Sequence, residues 1–412
     1  MPKHIWVAML AIVVVAWNPP AASAAEEVSV EQAVAIAIEN NPDLAVTANE
    51  LTIARAELQR ANYISQFNPS VESAGDYRLR SGRSNSTDWR FGLSQEIEIF
   101  GQRRLRRGAA ALGYEQTQAE VRNQVRLLTG AVTMTFYEAL RARYRTNLFT
   151  ELTNLNQRLA DAARARFEAG EIGQIDFNLA RIRYGESRRA LIENKEEYRL
   201  QCSSLGRLLG RAAGPEPEPA GELRIEPLRK DVENLLNLAR ANRPDLKAGL
   251  AQISRLRTET ELNKRLMLPN PTIGTFFGHE QNTERFGGIS LGLSVPIFNR
   301  RQAEATALSG RLAQAQQKLR AAELNVEREV RDAYGKYSSA LKQLKASQED
   351  VVGPARESFG LLETAFNAGK LDLLSLSVAE RHTFEAQMGY VDAWFNYAMA
   401  KASLGMAIGG PV

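Results

Sequence analysis

The chain has 412 residues, 44% hydrophobic and 24% charged, with 52 Lys+Arg against 48 Asp+Glu for a formal charge of +4. So mild a basic excess is not the concentrated patch of a nucleic-acid binder, and no nucleic-acid partner is expected. One cysteine, Cys202, excludes a disulfide framework and CxxC sites; three histidines and no phosphate-loop, GxSxG or HExxH motif argue against most enzyme classes, cofactors and metal sites.

Residues 1–24 read as a secretory signal peptide. Lys3 and His4 precede an apolar run from Ile5 to Trp17, Pro19 and Pro20 break it, and Ala22-Ser23-Ala24 offers a small-residue cleavage site. The run is too short to span a bilayer. No cysteine follows it, so an N-terminal lipid anchor is not expected. No later stretch approaches ~18 apolar residues, so entry into a membrane would require a β-barrel.

The mature chain reads as a duplication. Asn41-Pro42-Asp43-Leu44 recurs as Arg243-Pro244-Asp245-Leu246, and Asn68-Pro69-Ser70-Val71 as Asn270-Pro271-Thr272-Ile273, both 202 residues on. Phe167-Glu168-Ala169-Gly170 recurs as Phe366-Asn367-Ala368-Gly369, and the Leu205–Gly210 segment as Leu404–Gly409, both 199 residues on. Constant order and spacing imply two structural repeats, 25–213 and 231–412. The joining segment, 214–230, opens on a Pro-Glu alternation that reads as extended linker.

In chain order, Pro42 and Asp43 start a helix predicted over 42–66. A β-hairpin follows at about 70–99. A helix over 102–168 then carries Val121, Val125, Leu128, Val132, Phe136 and Leu140 at three- and four-residue steps, an amphipathic seam. Ala169-Gly170 turns the chain into a return helix over 174–210. The second repeat predicts helices at 244–268, 301–366 and 372–408, with a hairpin at about 272–297. A 67-residue helix is about 100 Å long, and the two shorter helices of each repeat sum to 62 residues. Stacked end to end they would flank the long one, with strands at one end of a rod and the Ala-Gly turn at the other.

The strands alternate. Val71, Ser73, Gly75, Tyr77 and Leu79 share one face of the first; Trp89, Phe91, Leu93, Ile97 and Ile99 share one face of the second; Ile289, Leu291, Leu293, Val295 and Ile297 share one face of the fourth. Ile273 to His279 alternates less cleanly. Such runs fit a membrane barrel or a solvated sheet on a soluble core. A rod tip offers no core to pack on, which favours lipid. Four strands cannot close a barrel, and open edges are not tolerated in lipid. Three copies would give twelve strands and a homotrimeric tube. A soluble coiled-coil rod and a periplasmic coiled-coil adaptor remain the alternatives without a channel.

These features together resemble the TolC-like outer-membrane efflux factors. The residues concerned are the Pro-Asp-Leu helix openings, Asn-Pro before each hairpin, the Ala-Gly turns and Pro296-Ile297-Phe298-Asn299-Arg300-Arg301. The segments Gln95–Arg104 and Ser294–Arg301 are most similar to the CzcC branch, which serves cation efflux. The resemblance implies a mainly α fold with membrane β-strands, a trimeric twelve-strand barrel continued by a periplasmic helical barrel, and an outer-membrane location. It also implies passive conduction of substrate, divalent heavy-metal cations in the CzcC branch, by a factor that docks to a periplasmic adaptor and an inner-membrane pump of the RND type. Ducts for organic compounds and for type I protein secretion share the fold.

By that resemblance, the turns at Gly170 and Gly369 form the periplasmic tip that docks the adaptor, with Asp176, Asp372, Ser375 and Glu380 nearby. The archetype's gate aspartates fall here on Ser375 and Val378, so that gate is not carried over. Gly353-Pro354 should kink the second long helix. Arg103, Arg104, Arg106 and Arg107 open the first long helix, and Arg300 and Arg301 the second. Cations there oppose the helix dipole, and their place just after a membrane strand points to lipid headgroups. Met267, His279, His382 and Met388 lack ligand spacing, and Cys202 reads as packing.

Overall fold

The computed structural model describes residues 27–79, 81–82, 85–211, 216–221, 225–228, 231–280, 284–367 and 373–410. The leader, Gly369 and Asp372 lie outside them.

The first half comprises β1 (Glu27–Val28), α1 (Val30–Asn40), α2 (Pro42–Ala61), β2 (Ser70–Arg78), β3 (Ser86–Glu96), α3 (Gln102–Glu168) and α4 (Gln174–Leu208). After β4 (Glu218–Pro219), the same order returns: α5 (Val232–Asn242), α6 (Pro244–Leu266), β5 (Pro271–Glu280), β6 (Glu284–Leu293), α7 (Gln302–Ser347), α8 (Gly353–Asn367) and α9 (Leu373–Ile408). A π-helical turn, Gln348–Val352, joins α7 to α8.

The long helix α3 has the expected bounds and, at 67 residues, is about 100 Å long. Its first half packs on α2 and α6, its second on α4. Several elements differ from the sequence reading. Helix α2 stops at Ala61 rather than 66, because Arg103 donates to the carbonyls of Asn62 (2.9 Å) and Tyr63 (3.1 Å), which satisfies that helix end from outside. Helices α1 and α5 are additional, each 11 residues. Ser29 caps α1 in a reciprocal capping box with Gln32. Within the segment read as a linker, Glu218–Pro219 pairs in parallel with Glu27–Val28. The helix expected over 301–366 is interrupted by the π turn directly before Gly353-Pro354.

The main core lies at the waist of the rod. Val132, Phe136 and Leu140 of α3 meet Leu205 and Leu209, Leu235 and Leu236 of α5, Val330 and Leu344 of α7, and Trp394, Tyr397 and Leu404 of α9. Helices α1 and α5 wedge against this layer through Ala33, Ala37 and Ala239. Two tyrosines tie the linker down. The Tyr397 hydroxyl donates to the Glu226 carbonyl (2.8 Å), and the Tyr337 hydroxyl accepts from the Leu228 amide (2.8 Å). Buried phenols that find partners avoid the cost of an unpaired hydroxyl.

Candidate functional site: the terminal sheet and the helical tip

Strands β2, β3, β5 and β6 form one antiparallel sheet in that order, so the two hairpins adjoin through β3 and β5. The register sets Val71, Leu93, Thr275 and Ile289 in one row across all four strands. It sets Ser73, Phe91, Phe277 and Gly287 in the next. Odd-numbered residues of every strand therefore share one face, as the period-2 alternation requires. That face is uncovered: Ile289, Leu291 and Val71 are 82%, 77% and 75% exposed. On it Phe91 lies 5.9 Å from Phe277 and Trp89 stacks on His279 at 6.3 Å.

The opposite face is polar and crowded. Arg78 bridges Asp88 (2.6 Å) and Glu280 (2.7 Å), linking β2, β3 and β5. Arg90 lies over the rings of Phe276 and Phe286. Glycines fill the tightest positions: a Cβ on Gly274 would meet the Ser290 hydroxyl at 2.6 Å, and one on Gly278 the Phe286 ring at 2.6 Å. Among the described residues, the outer edges of β2 and β6 have no strand partner. Among the described residues this is a sheet with one apolar face, one face carrying charged side chains and two open edges.

Below the sheet, both long helices start from a left-handed residue, Gly101 (φ 78°) and Arg301 (φ 56°). In both, the glutamine that follows accepts a backbone N–H: Gln102 from Phe100 and Gln302 from Arg300, each at 2.9 Å. The six expected headgroup arginines divide here. Arg103 caps α2, Arg106 forms a two-point pair with the buried Glu98 (2.7 Å for one bond), and Arg301 donates to Asn263 (2.7 Å). Arg104, Arg107 and Arg300 are exposed.

At the other end, Gly170 adopts φ 77° and closes α3: its own N–H reaches the Phe167 carbonyl, and the Glu171 N–H reaches that of Arg166. Phe167 stacks on Phe177 (5.2 Å) across the turn, and Phe177 packs on Ala160, Ala163 and Ala180. Asp176 is exposed in the first turn of α4, where the helix dipole suits it, and Ser375 is exposed in the first turn of α9. Glu380 is different: expected among tip charges, it is 6% exposed, enclosed by α3, α4 and α9. Sequence spacing gives no sign of that, because Asn156 of α3 and Arg183 of α4 are 224 and 197 residues away. Gly353-Pro354 follows the π turn, and Pro354 has no N–H to offer the carbonyl four residues back.

Among the described residues, no group of three or more His, Cys, Asp and Glu is arranged to hold a metal ion. No helix among them is long and apolar enough to cross a membrane.

The sequence matches the family described as outer membrane efflux protein over residues 33–211 and again over 235–410. It is 24% identical to the cobalt-zinc-cadmium resistance protein CzcC of Cupriavidus metallidurans, covering 89% of this chain and 87% of that protein. It is 23% identical to the pyoverdine export outer membrane protein OpmQ of Pseudomonas putida, covering 96% and 91%. Among solved structures, CusC superposes with a TM-score of 0.74 at 18% identity over 99% of both chains. The CmeC outer membrane channel of Campylobacter jejuni gives 0.77 at 15% identity, over 92% of this chain and 85% of that one.

Proposed function

The chain belongs to the outer membrane efflux protein family, an outer-membrane channel component, and on that premise we propose that it conducts divalent heavy-metal cations out of the periplasm as a homotrimer. The observation that carries the reading is the terminal sheet. Among the described residues nothing covers its apolar face, and its β2 and β6 edges lack strand partners. Lipid suits the first, and further copies suit the second, since an unpaired edge costs several kcal/mol per group in hydrocarbon, on the order of the unmade hydrogen bond. Three copies supply twelve strands, enough to close a wet lumen lined by the Arg78 and Arg90 face. No bond is made or broken in such a role, so the protein would act as a conduit, not an enzyme.

The cation reading rests on the relation to CzcC. Selection would then occur upstream, in an inner-membrane RND-type pump reached through a periplasmic adaptor at the Gly170 and Gly369 turns, with Asp176 and Ser375 on that surface and Gly353-Pro354 bending one wall. Arg104, Arg107 and Arg300 suit inner-leaflet phosphates. The two halves, joined by the 214–230 linker, are a duplication. The comparable identity to OpmQ favours a second reading, export of an organic compound. Membrane fractionation with heated and unheated gels tests the assembly: an outer-membrane band near three monomer masses that collapses on boiling is expected, and a soluble monomer would overturn it. Comparing efflux of divalent cations and of pyoverdine from a deletion strain then separates the two cargoes.

A further inference from the structure

We propose that Glu380 makes the packing of α9 on the α3–α4 hairpin sensitive to protons: the helices close around the neutral carboxyl and part to hydrate the ionised one. Glu380 of α9 is 6% exposed against α3 and α4, and among the described residues its buried Oε1 atom has no hydrogen-bond partner. An unpartnered oxygen tolerates burial far better on a neutral acid than on a carboxylate. A cavity of about 370 Å³ lies against it, lined by Phe149, Asn156, Arg183, Ser377 and Phe384 among others, so there is room for water to enter as the helices separate.

The surrounding charges come from each packed element. Helix α3 offers the Asn156 amide as a hydrogen-bond partner, and Glu151 and Arg158 line a neighbouring cavity. Helix α4 brings Arg183 and Glu186, and α9 itself brings Arg381. Helix α8 is held to α9 by the Thr383 hydroxyl donating to the Ala355 carbonyl (3.1 Å), and among the described residues it lines neither cavity. His382 is exposed and turned to Glu385 at 3.7 Å. Burial raises the Glu380 pKa to about 7, with Arg183 and the Asn156 hydrogen bond pulling the other way. Since the closed packing raises this pKa, it holds the proton more tightly than an open, hydrated state. Closure is therefore strongest in acid, weakens as pH rises from the ordinary glutamate range towards about 7, and changes little above that. Asn156 is 14 residues before Gly170, so the switch sits about 20 Å from the tip.

Hydrogen–deuterium exchange of the full-length protein in detergent tests this, with rates corrected for the chemical pH dependence of exchange. Protection of residues 373–390 is expected to fall at least about tenfold between about pH 5 and about pH 8, one pK unit being tenfold. In Glu380→Gln the fall should vanish, and in His382→Gln it should persist. Should Glu380→Gln not fold, Arg183→Gln carries the test: losing that cation should move the midpoint to higher pH. A flat wild-type profile, a fall that survives Glu380→Gln, a fall that disappears in His382→Gln, or a midpoint unmoved in Arg183→Gln would each overturn the proposal.

Discussion

Asn41 and Arg243 hold equivalent places 202 residues apart, and each donates a side-chain hydrogen bond to a carbonyl ending the return helix of its own half. Asn41 Nδ2 reaches the Leu208 carbonyl at 3.0 Å, and Arg243 Nη1 reaches the Ala407 carbonyl at 3.1 Å. Both are helix N-caps, but only Asn41 caps with its side chain, accepting from the Leu44 amide. Arg243 instead anchors Asp245 and Glu329. One junction thus serves two halves through different chemistry.

Replacing these two residues should therefore cost different amounts. Asn41→Ala loses a cap, about 1 kcal/mol. Arg243→Ala should cost about 2 kcal/mol, less than the ~3–5 kcal/mol of a fully buried pair because Glu329 is half exposed. Burial pushes the Asp245 pKa up, but the Arg243 guanidinium pulls it further, to below the usual carboxylate value. A lowered folded-state pKa adds stability above the unfolded pKa and loses it as pH falls through the folded one. Thermal midpoints in detergent should show the Arg243→Ala deficit at neutral pH and a smaller one in strong acid. An equal deficit at both would refute the ion-pair account.

The sheet faces can be told apart by one charge on each. Ile289→Arg places a cation on the apolar face and should cost about 2–4 kcal/mol at bilayer mid-depth. Glu72→Arg, on the other face of β2 opposite Gly92, should be tolerated. Loss of the heat-labile oligomer band in Ile289→Arg alone is the expected result; equal loss in both would place the apolar face somewhere other than in lipid.

Crowding on the wet face predicts a second, unrelated sensitivity. Gly278→Ala sets a methyl against the Phe286 ring and the Trp89 carbonyl, an overpacking worth about 1–3 kcal/mol. Gly310→Ala, with open space around it in α7, is the control. Melting of the oligomer on unheated gels at stepped temperatures should fall for the first and hold for the second.

The arginines below the sheet divide into two groups with opposite readouts. Arg106→Ala strands the buried Glu98 carboxylate and should lower thermal stability by about 3 kcal/mol. The triple change of Arg104, Arg107 and Arg300 to Gln should leave stability within about 0.5 kcal/mol and weaken salt-sensitive retention of anionic lipid, read by native mass spectrometry. Unaltered lipid retention would end the headgroup assignment for those three.

Removing the proline tests the bend. Pro354→Ala restores an N–H that can bond four residues back and should straighten the π turn at 348–352 into α-helix. Single-channel conductance is expected to change; identical currents would assign the turn to shape alone.

The long helix α3 was readable because its limits are written locally, in Gly101, Ala169 and Gly170. The strand faces were readable because a one-residue error inverts them. Helix α2 ends earlier than its pattern because Arg103, distant in sequence, supplies the missing partners. Helices α1 and α5 are short, and their burial comes from the waist they wedge into, although Ser29-x-x-Gln32 was a visible start. Glu380 looked like a surface charge because its enclosure is made by Asn156 and Arg183 of the other half.

Val28 and Ile408 both lie in the waist core, so the described chain enters and leaves at mid-height rather than at either end. Fusion partners and affinity tags joined next to those residues would start at the waist, away from the sheet and from the helical tip. The same arrangement makes circular permutation practical: rejoining the chain at the waist and reopening it between two paired strands would keep every helix pair intact and move the new termini to the sheet.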